Sequence, residues 1–292
     1  MSGKLKDIDA KIGAIGQLGT VMAAMRGIAS MRTQQALGIL PGIRAYEAII
    51  EKALGQLLAM MPPAPSAKPA ARAGSLGVLV FSVEHGFAGA YPERLAEAAE
   101  SVFTSDCQIF VVGARGLQLA EERRWPIAWR FAMASQSAAV GTVARDVAET
   151  LYRPVAAGAI TQVEIVHGRP GPGHTQEIIR RSLLPLDFDR LRMATAAEPA
   201  PLLGLSPQRL LDRLIEEYVI GALTEAAMES FAAENAARLS TMEAARTHIA
   251  EQLEELEGEA RRLRQEETTG ELLDVVAGWR SASRGRVDLH QG

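Results

Sequence analysis

Cysteine is nearly absent from this chain: Cys107 is the only one in 292 residues. A single thiol excludes an internal disulfide framework and any cysteine-based zinc site. It leads into Gln108-Ile109-Phe110-Val111-Val112, which reads as a buried strand and fits a reducing compartment. Aromatic residues make up only 5% of the chain, against plentiful Ala, Leu and Glu. That mixture favours long helices over an all-β fold. A basic excess is also missing: Lys+Arg 31 against Asp+Glu 35 gives a formal charge of −4, so no overall electrostatic footprint for nucleic acid exists. Long hydrophobic runs are lacking as well. The longest uncharged stretch near the N-terminus, Ile12 to Met25, rises about 21 Å as a helix, against roughly 30 Å for the hydrocarbon core. No membrane span is expected, and Asp7 and Asp9 sit where a signal peptide carries positive charge. The length suffices for one large or two modest domains with a sizeable core.

What is present falls into three zones. In residues 1–60, Leu5, Ile8, Ile12, Ile15, Leu18, Met22, Met25 and Ile28 recur at three- and four-residue steps, which predicts a single helix. Pro62-Pro63-Ala64-Pro65 ends it, and the linker 66–73 follows. Over 74–190 the period changes. Short apolar runs (76–81, 107–112, 127–131, 160–167) alternate with helix-like stretches near 93–103, 114–124 and 137–157, which predicts βαβ units around a parallel sheet. Val163 and Ile165 should share one face. Residues 176–184 read as one more strand, antiparallel at an edge. Residues 187–205 look loop-like and hold Pro199 and Pro201. Ser206 and Pro207 then suit a helix start, and nothing breaks that helix until Gly278. A helix over 206–278 spans about 110 Å. Within it Ile249, Leu253, Leu256, Ala260 and Leu263 step by four and three, the seam of a coiled coil. The expected architecture is therefore α/β: a long antiparallel two-helix coiled coil from both termini (1–60 and 206–280) with an inserted Rossmann-like α/β domain (74–190).

The terminal segments differ in charge. Residues 1–60 carry seven Lys/Arg and four acids, net +3, whereas 206–278 carry seven Arg and sixteen acids, net −9. Opposite nets favour pairing of the two helices. The first helix is intrinsically poor: Gly13, Gly16, Gly19, Gly27 and Gly38 each cost roughly 1 kcal/mol relative to Ala, and Pro41-Gly42 should kink it. The glycines either permit close backbone approach or keep one face smooth.

Catalytic patterns fail one after another. No G-x-x-x-x-G-K-[ST] occurs, and neither Ser82-Val83-Glu84-His85-Gly86-Phe87-Ala88-Gly89 nor Gly113-Ala114-Arg115-Gly116 makes a dinucleotide fingerprint. His85, His167, His174, His248 and His290 have no metal-ligand spacing, and His248 should be exposed. Glu84 and His85 read as a hydrogen-bonded turn rather than an acid/base pair. No serine sits in a nucleophile elbow.

The motifs that remain point elsewhere. Glu234-Asn235-Ala236-Ala237-Arg238-Leu239-Ser240-Thr241-Met242-Glu243-Ala244-Ala245 resembles the SE-x-AARM-x-AM-x-AA signature of the F-type ATP synthase gamma subunit. Arg264-Gln265, then Thr269-Gly270-Glu271-Leu272-Leu273-Asp274-Val275-Val276-Ala277-Gly278, resembles that family's RQ…TQEL-x-EIVSG. Leu210 to Tyr218 is similar to the start of its final helix. Leu5-Lys6-Asp7-Ile8, Lys11-Ile12 and Ala24-Met25-Arg26-Gly27-Ile28-Ala29 resemble its N-terminus, and Ser82 to Tyr91 its SDRGLCGGLN turn. The resemblance covers nearly the whole chain, and its C-terminal motif is the most specific.

The resemblance implies a rotor shaft without catalytic groups or cofactor. In the family the coiled coil stands inside a hexamer of α and β subunits, the β subunits doing the ATP chemistry. The α/β domain lies below, beside epsilon and the membrane c-ring. Rotation couples ion flow to ATP synthesis, or hydrolysis to pumping of H⁺ or Na⁺. The implied location is the cytoplasmic side of the cell inner membrane, peripheral. Arg264, Thr269 and Glu271 match the positions that contact the catch loops of the β subunits. Departures exist. The family's basic NTQKITKAM is Gln17 to Met25 here, without its lysines; Gly270 replaces a Gln; Glu84-His85 replaces Asp-Arg; and an aromatic-acidic stretch becomes Glu198-Pro199-Ala200-Pro201-Leu202-Leu203-Gly204. They imply a divergent gamma, as of an alternative F-type ATPase encoded beside a standard one. The competing expectation is an α/β signalling or interaction module on a coiled-coil dimerisation stalk.

Overall fold

The switch of hydrophobic period near residue 75 marks where helix gives way to sheet. The computed structural model describes residues 3–62, 74–195 and 202–287. The linker at 66–73, residues 198–201 and His290 lie outside them. The elements run α1 (Gly3–Met60), β1 (Ser75–Phe81), α2 (Tyr91–Glu100), β2 (Gln108–Val112), α3 (Ala114–Glu122), β3 (Ile127–Phe131), α4 (Val140–Ala156), β4 (Ile160–Pro170), β5 (Gln176–Leu184), α5 (Phe188–Thr195) and α6 (Pro207–Val287). Two compact units result: Met1–Arg26 with Met242–Gly292, and Gly27–Thr241.

The first unit is a two-helix pair. Leu5, Ile8 and Ile12 of α1 pack against Leu256, Ala260 and Leu263 of α6. Arg264 pairs with Asp9 at 2.9 Å and Arg26 with Glu243 at 3.6 Å. Positions rise along α1 as they fall along α6, so the pair is antiparallel within one chain. The same register sets Ile15 opposite Leu253.

The second unit holds a five-stranded sheet in the order β3-β2-β1-β4-β5. All neighbours are parallel except β4 and β5. Strand alternation sorts the core. Val78, Val80, Ile109, Val111 and Val166 face α2 and α3, through Tyr91, Leu95, Ala99 and Ala120. Leu79, Phe81, Phe110, Val112, Val163 and Ile165 face α4, together with Ala36 and Leu40 of α1 and Ala222 to Ala232 of α6. Each such fully buried aliphatic or aromatic side chain contributes about 1.5–3 kcal/mol. Cys107 is buried just before β2.

Three expectations change. Residues 187–205 are not all loop: α5 forms at 188–195 because the Asp187 carboxylate accepts the Arg190 amide at 2.9 Å and Leu191 packs on Leu54 and Leu58. Gly278 does not end α6, which runs to Val287, since one interior glycine costs only about 1 kcal/mol. Pro41 lies inside α1, which runs on through it. The bond it cannot donate falls to the carbonyl of Leu37, whose residue is exposed. Finally, an 18-residue window of α1 has mean hydropathy 1.2 and is 11% buried, so α1 is long and apolar enough to cross a bilayer by composition.

The glycines of α1 divide. A Cβ at Gly19 would meet Ile249 at 3.3 Å, whereas at Gly13, Gly16, Gly27 and Gly38 it would meet nothing. Among these five, Gly19 lies against the partner helix and the other four face open space. Gly16→Ala should therefore stabilise the isolated chain by about 0.5–1 kcal/mol in urea unfolding. A destabilised variant would mean that the face is packed. Cysteines replacing Ile15 and Leu253 should crosslink within one chain on mild oxidation. Crosslinks only between chains would contradict the antiparallel pair.

Candidate functional site

Alanine makes much of α6 between residues 222 and 237 thin, and six polar residues are set into or just beyond that thin surface. Glu225, Glu229, Ser230, Glu234, Asn235 and Arg238 are all buried. Charged side chains are almost never buried without partners, and each of these charged groups has several.

α6 crosses the C-terminal edge of the parallel strands. Ala226, Ala227 and Ala232 join the core on one face of the sheet, and Ala233 and Ala237 join the core on the other. At the crossing, the Ser230 hydroxyl donates to the Phe81 carbonyl at 2.8 Å. In open α/β sheets this edge is where ligands bind, with an anion held by backbone N–H groups. Here the turn after β1 donates its Glu84 and His85 amides to the two carboxylate oxygens of Glu234, at 2.9 and 3.2 Å. Arg238 closes the arrangement. It bonds Glu234 at 2.5 Å and donates to the carbonyls of His85 and Gly86 at 3.2 Å. The cradle is filled by a carboxylate of the chain itself.

The turn is fixed from the other side as well. Glu84 accepts the amides of Ala114 at 2.9 Å and Met133 at 2.7 Å, tying α3 and the chain after β3 to β1. Glu84 is thus a hydrogen-bonded turn residue, as expected. Gly113, at φ +114°, leaves no room for a side chain: a Cβ would lie 2.8 Å from the Val83 carbonyl.

One turn earlier on α6, Glu229 is completely buried. It accepts from Arg44 of α1 and from Arg169 of β4, the latter at 2.9 Å. His167 of β4 faces it at 3.5 Å. Burial pushes His167 down to about 4, partly opposed by Glu229, so its imidazole is neutral at pH 7. The unfolded chain takes up that proton nearer 6.5, so this group makes stability fall as the pH drops from about 6.5 to 4. Glu225 bonds Arg44 and Arg181, both at 2.9 Å. Burial raises Glu225 most, but hydrogen bonds to Arg44 and Glu47 and the charges of Arg181 and Arg44 together hold it below the usual carboxylate range. α1, α6 and the sheet are thereby joined by one buried polar stripe.

The residues singled out near the C-terminus lie in the first unit and do not form one cluster. Arg264 donates to Asp9 and is exposed; the Thr269 hydroxyl donates to the Gln265 carbonyl at 2.8 Å; Glu271 is exposed. Arg264 and Glu271 are seven residues apart and share a helix face, whereas Thr269 is turned away from them. Beyond them the α6 surface is apolar and open: Leu272, Leu273, Val275, Val276 and Trp279 are all exposed. On α1, Leu18 and Val21 in the first unit and Ile28, Met31, Leu37 and Ile39 in the second are exposed too. His248 is exposed, as expected. Among the described residues, no group of His, Cys, Asp and Glu could hold a metal ion.

A family model described as ATP synthase matches residues 4–281. The chain belongs to that family. Its relatives include the ATP synthase gamma chain of Frankia casuarinae, 26% identical over 98% of this chain and all of the relative. That of Moorella thermoacetica is 24% identical, over 94% of this chain and 97% of the relative. Within the family this is accordingly a gamma subunit. Two solved Euglena gracilis mitochondrial ATP synthase structures contain chains of the same fold. One, from the OSCP/F1/c-ring assembly in rotational state 3, has TM-score 0.68 at 14% identity and covers 97% of this chain and 96% of its own. The other, from the rotor in rotational state 1, has TM-score 0.65 at 14% identity and covers 90% and 98%. The signature around Glu234 and Arg238 that marked the family in sequence is, in this gamma subunit, the clamp on the turn after β1.

Glu234→Ala leaves Arg238 buried without its carboxylate and two turn amides without an acceptor. It should cost about 3 kcal/mol in urea unfolding. Adding Arg238→Ala should cost much less than the sum of the single losses. Strict additivity would show that the two do not act as a unit.

Proposed function

We propose that this gamma subunit is the central rotor shaft of an F1F0 ATP synthase or ATPase, coupling ion translocation through a c-ring to ATP chemistry on the β subunits. The observation that carries this reading is the clamped stripe on α6. A helix that must deliver torque has to be fixed to the body that receives it. α6 is fixed to the sheet by Glu225, Glu229, Ser230, Glu234 and Arg238, and it continues unbroken to Val287. Its partners are the α and β subunits of the hexamer, epsilon and the c-ring. The chain itself is non-catalytic and binds no cofactor; its anion cradle is taken by Glu234. Coupling then operates by differential contact: each rotor orientation favours one state of each β subunit over the others.

The open apolar surface of α1 fits enclosure by protein. Ion pairs at Asp9 and Arg26 bracket its uncharged stretch. In hydrocarbon such charges are costly, whereas in the cavity of a hexamer they meet water or protein. Arg264, Thr269 and Glu271 are the proposed contacts to the β-subunit catch loops. Arg264 retains forked donors for a carboxylate beyond its bond to Asp9. The complex would lie on the cytoplasmic side of the cell inner membrane, held there peripherally. The loss of the basic residues between Gln17 and Met25 and the Gly270 replacement favour a divergent machine, such as an alternative F-type ATPase that pumps H⁺ or Na⁺.

The dimerisation-stalk reading is disfavoured because the coiled-coil seam of α6 is filled by α1 of the same chain. Affinity capture decides between the two. A chain tagged on the second unit is recovered from native membranes in mild detergent. Co-purification of α, β, epsilon and c subunits with ATPase activity is expected. Recovery of the chain alone, or as a parallel dimer, would overturn the rotor.

A further inference from the structure

Glu47 of α1 is the one carboxyl at this joint that its neighbours do not satisfy as an anion. Its side chain is only 13% exposed, and it shares a single nitrogen with Glu225: Arg181 Nη1 lies 3.7 Å from Glu47 and 2.9 Å from Glu225. Arg181 spends its other terminal nitrogen on the Ala222 carbonyl at 2.5 Å. Glu225 is taken up on both oxygens, by Arg44 and by Arg181. Glu51 stands one turn further along α1 and is engaged by Arg190 of α5 at 2.8 Å. The groups facing Glu47 are therefore Glu51 on its own helix, Glu225 and Tyr218 on α6, and Arg181 on β5, with Arg190 behind Glu51. The two carboxyls meet across the α1–α6 seam, and the guanidinium between them is committed to Glu225.

We propose that Glu47 and Glu225 hold one proton between them, and that this shared proton latches α1 to α6, so that the seam loosens as the pH rises past neutrality. Two carboxylates that share one guanidinium nitrogen cannot both stay ionised cheaply in a dry site. A carboxylic acid on Glu47 donates a hydrogen bond to Glu225; its anion repels it. Burial, opposed by Arg181 and reinforced by Glu225 and Glu51, pushes Glu47 up to about 7. In the unfolded chain it titrates near 4.5. The native state thus holds a proton that the unfolded state has released, and stability declines as the pH rises from about 4.5 to 7. His167 acts in the opposite direction between about 4 and 6.5, so the latch is read most cleanly above pH 6.5. The inference concerns the chain by itself and does not depend on the rotor reading.

Urea unfolding of the full chain at pH 5.5 and pH 8 tests it, with Glu47→Gln as the permanently neutral stand-in for the acid. At pH 5.5, one unit above the unfolded titration, the variant's unfolding constant should already be about tenfold lower than the wild type's. At pH 8 the gap should have widened by a further factor of about 25, because the unfolded state goes on ionising while the native state begins to do so only near 7. A variant less stable than the wild type by the same margin at both pH values would overturn the latch, since Glu47 would then be acting as the anion of Arg181. Glu225→Gln supplies the second reading. With no carboxylate partner, Glu47 should ionise against Arg181, and the loss of stability between pH 6.5 and 8 should vanish; its persistence would also overturn the proposal.

Discussion

Three donors converge on the carboxylate of Glu234 inside the protein: two backbone amides of a turn and the guanidinium of Arg238 from its own helix. Much of the second unit depends on this arrangement. The turn it holds begins where β1 ends, so fixing the turn fixes the edge of the central strand. Glu84 in that turn carries the restraint outward to α3 and to the chain after β3. Arg238 ties the carbonyls of the same turn back to α6. A neutral hydrogen bond would serve such a joint less well. Charge-assisted bonds are stronger, and a buried ion left without its partner is heavily penalised, so the closed arrangement has few competitors.

This use of charge puts a carboxylate of the chain itself where such a sheet edge otherwise meets a ligand's anion. A parallel sheet offers amides at the ends of its strands, and some anion has to meet them. Where a phosphate would be a ligand that comes and goes, a glutamate four residues from an arginine on a continuous helix is permanent. The edge of the sheet changes from a binding site into an attachment point. The small alanines around Glu234 matter for the same reason: larger side chains would hold the helix backbone too far away for a short carboxylate to reach the turn.

Sequence periodicity revealed most of the framework because helices and strands have periods that one chain displays by itself. Val163 and Ile165 share a face as their alternation required, and the four-three steps from Ile249 to Leu263 mark a real seam. The joint was visible only as a signature, not as a mechanism. A buried Glu229 reads the same as a solvated one when its partners, Arg44 and Arg169, lie 185 and 60 residues away. The signal available was chemical: isolated charges set in an alanine run leave no room for a conventional solvated face. α5 was missed because the prolines around it argued for loop, whereas its stability comes from Leu191 packing on a distant part of α1. The candidate contacts at Arg264, Thr269 and Glu271 were named by resemblance alone, and helix geometry separates Thr269 from the other two.

The two long helices divide their duties by composition. α6 carries sixteen acids over 206–278 and uses the buried ones for attachment. α1 is thin in charge, and most of the glycines tested along it face open space. Alanine at those positions would be better for the helix, so the glycines are not there for helix stability. A surface made of glycine and scattered apolar side chains offers few strong contacts in any direction. For a shaft that turns within a fixed collar, weak and uniform contact is an advantage. A deep ionic contact would create an orientation from which the rotor escapes slowly, and each such well adds to the barrier for the next step. On the proposed rotor reading, the loss of lysines between Gln17 and Met25 and the smooth glycine face serve one end: α1 is held to α6 and the sheet by buried charge, and its outer face offers only shallow contacts.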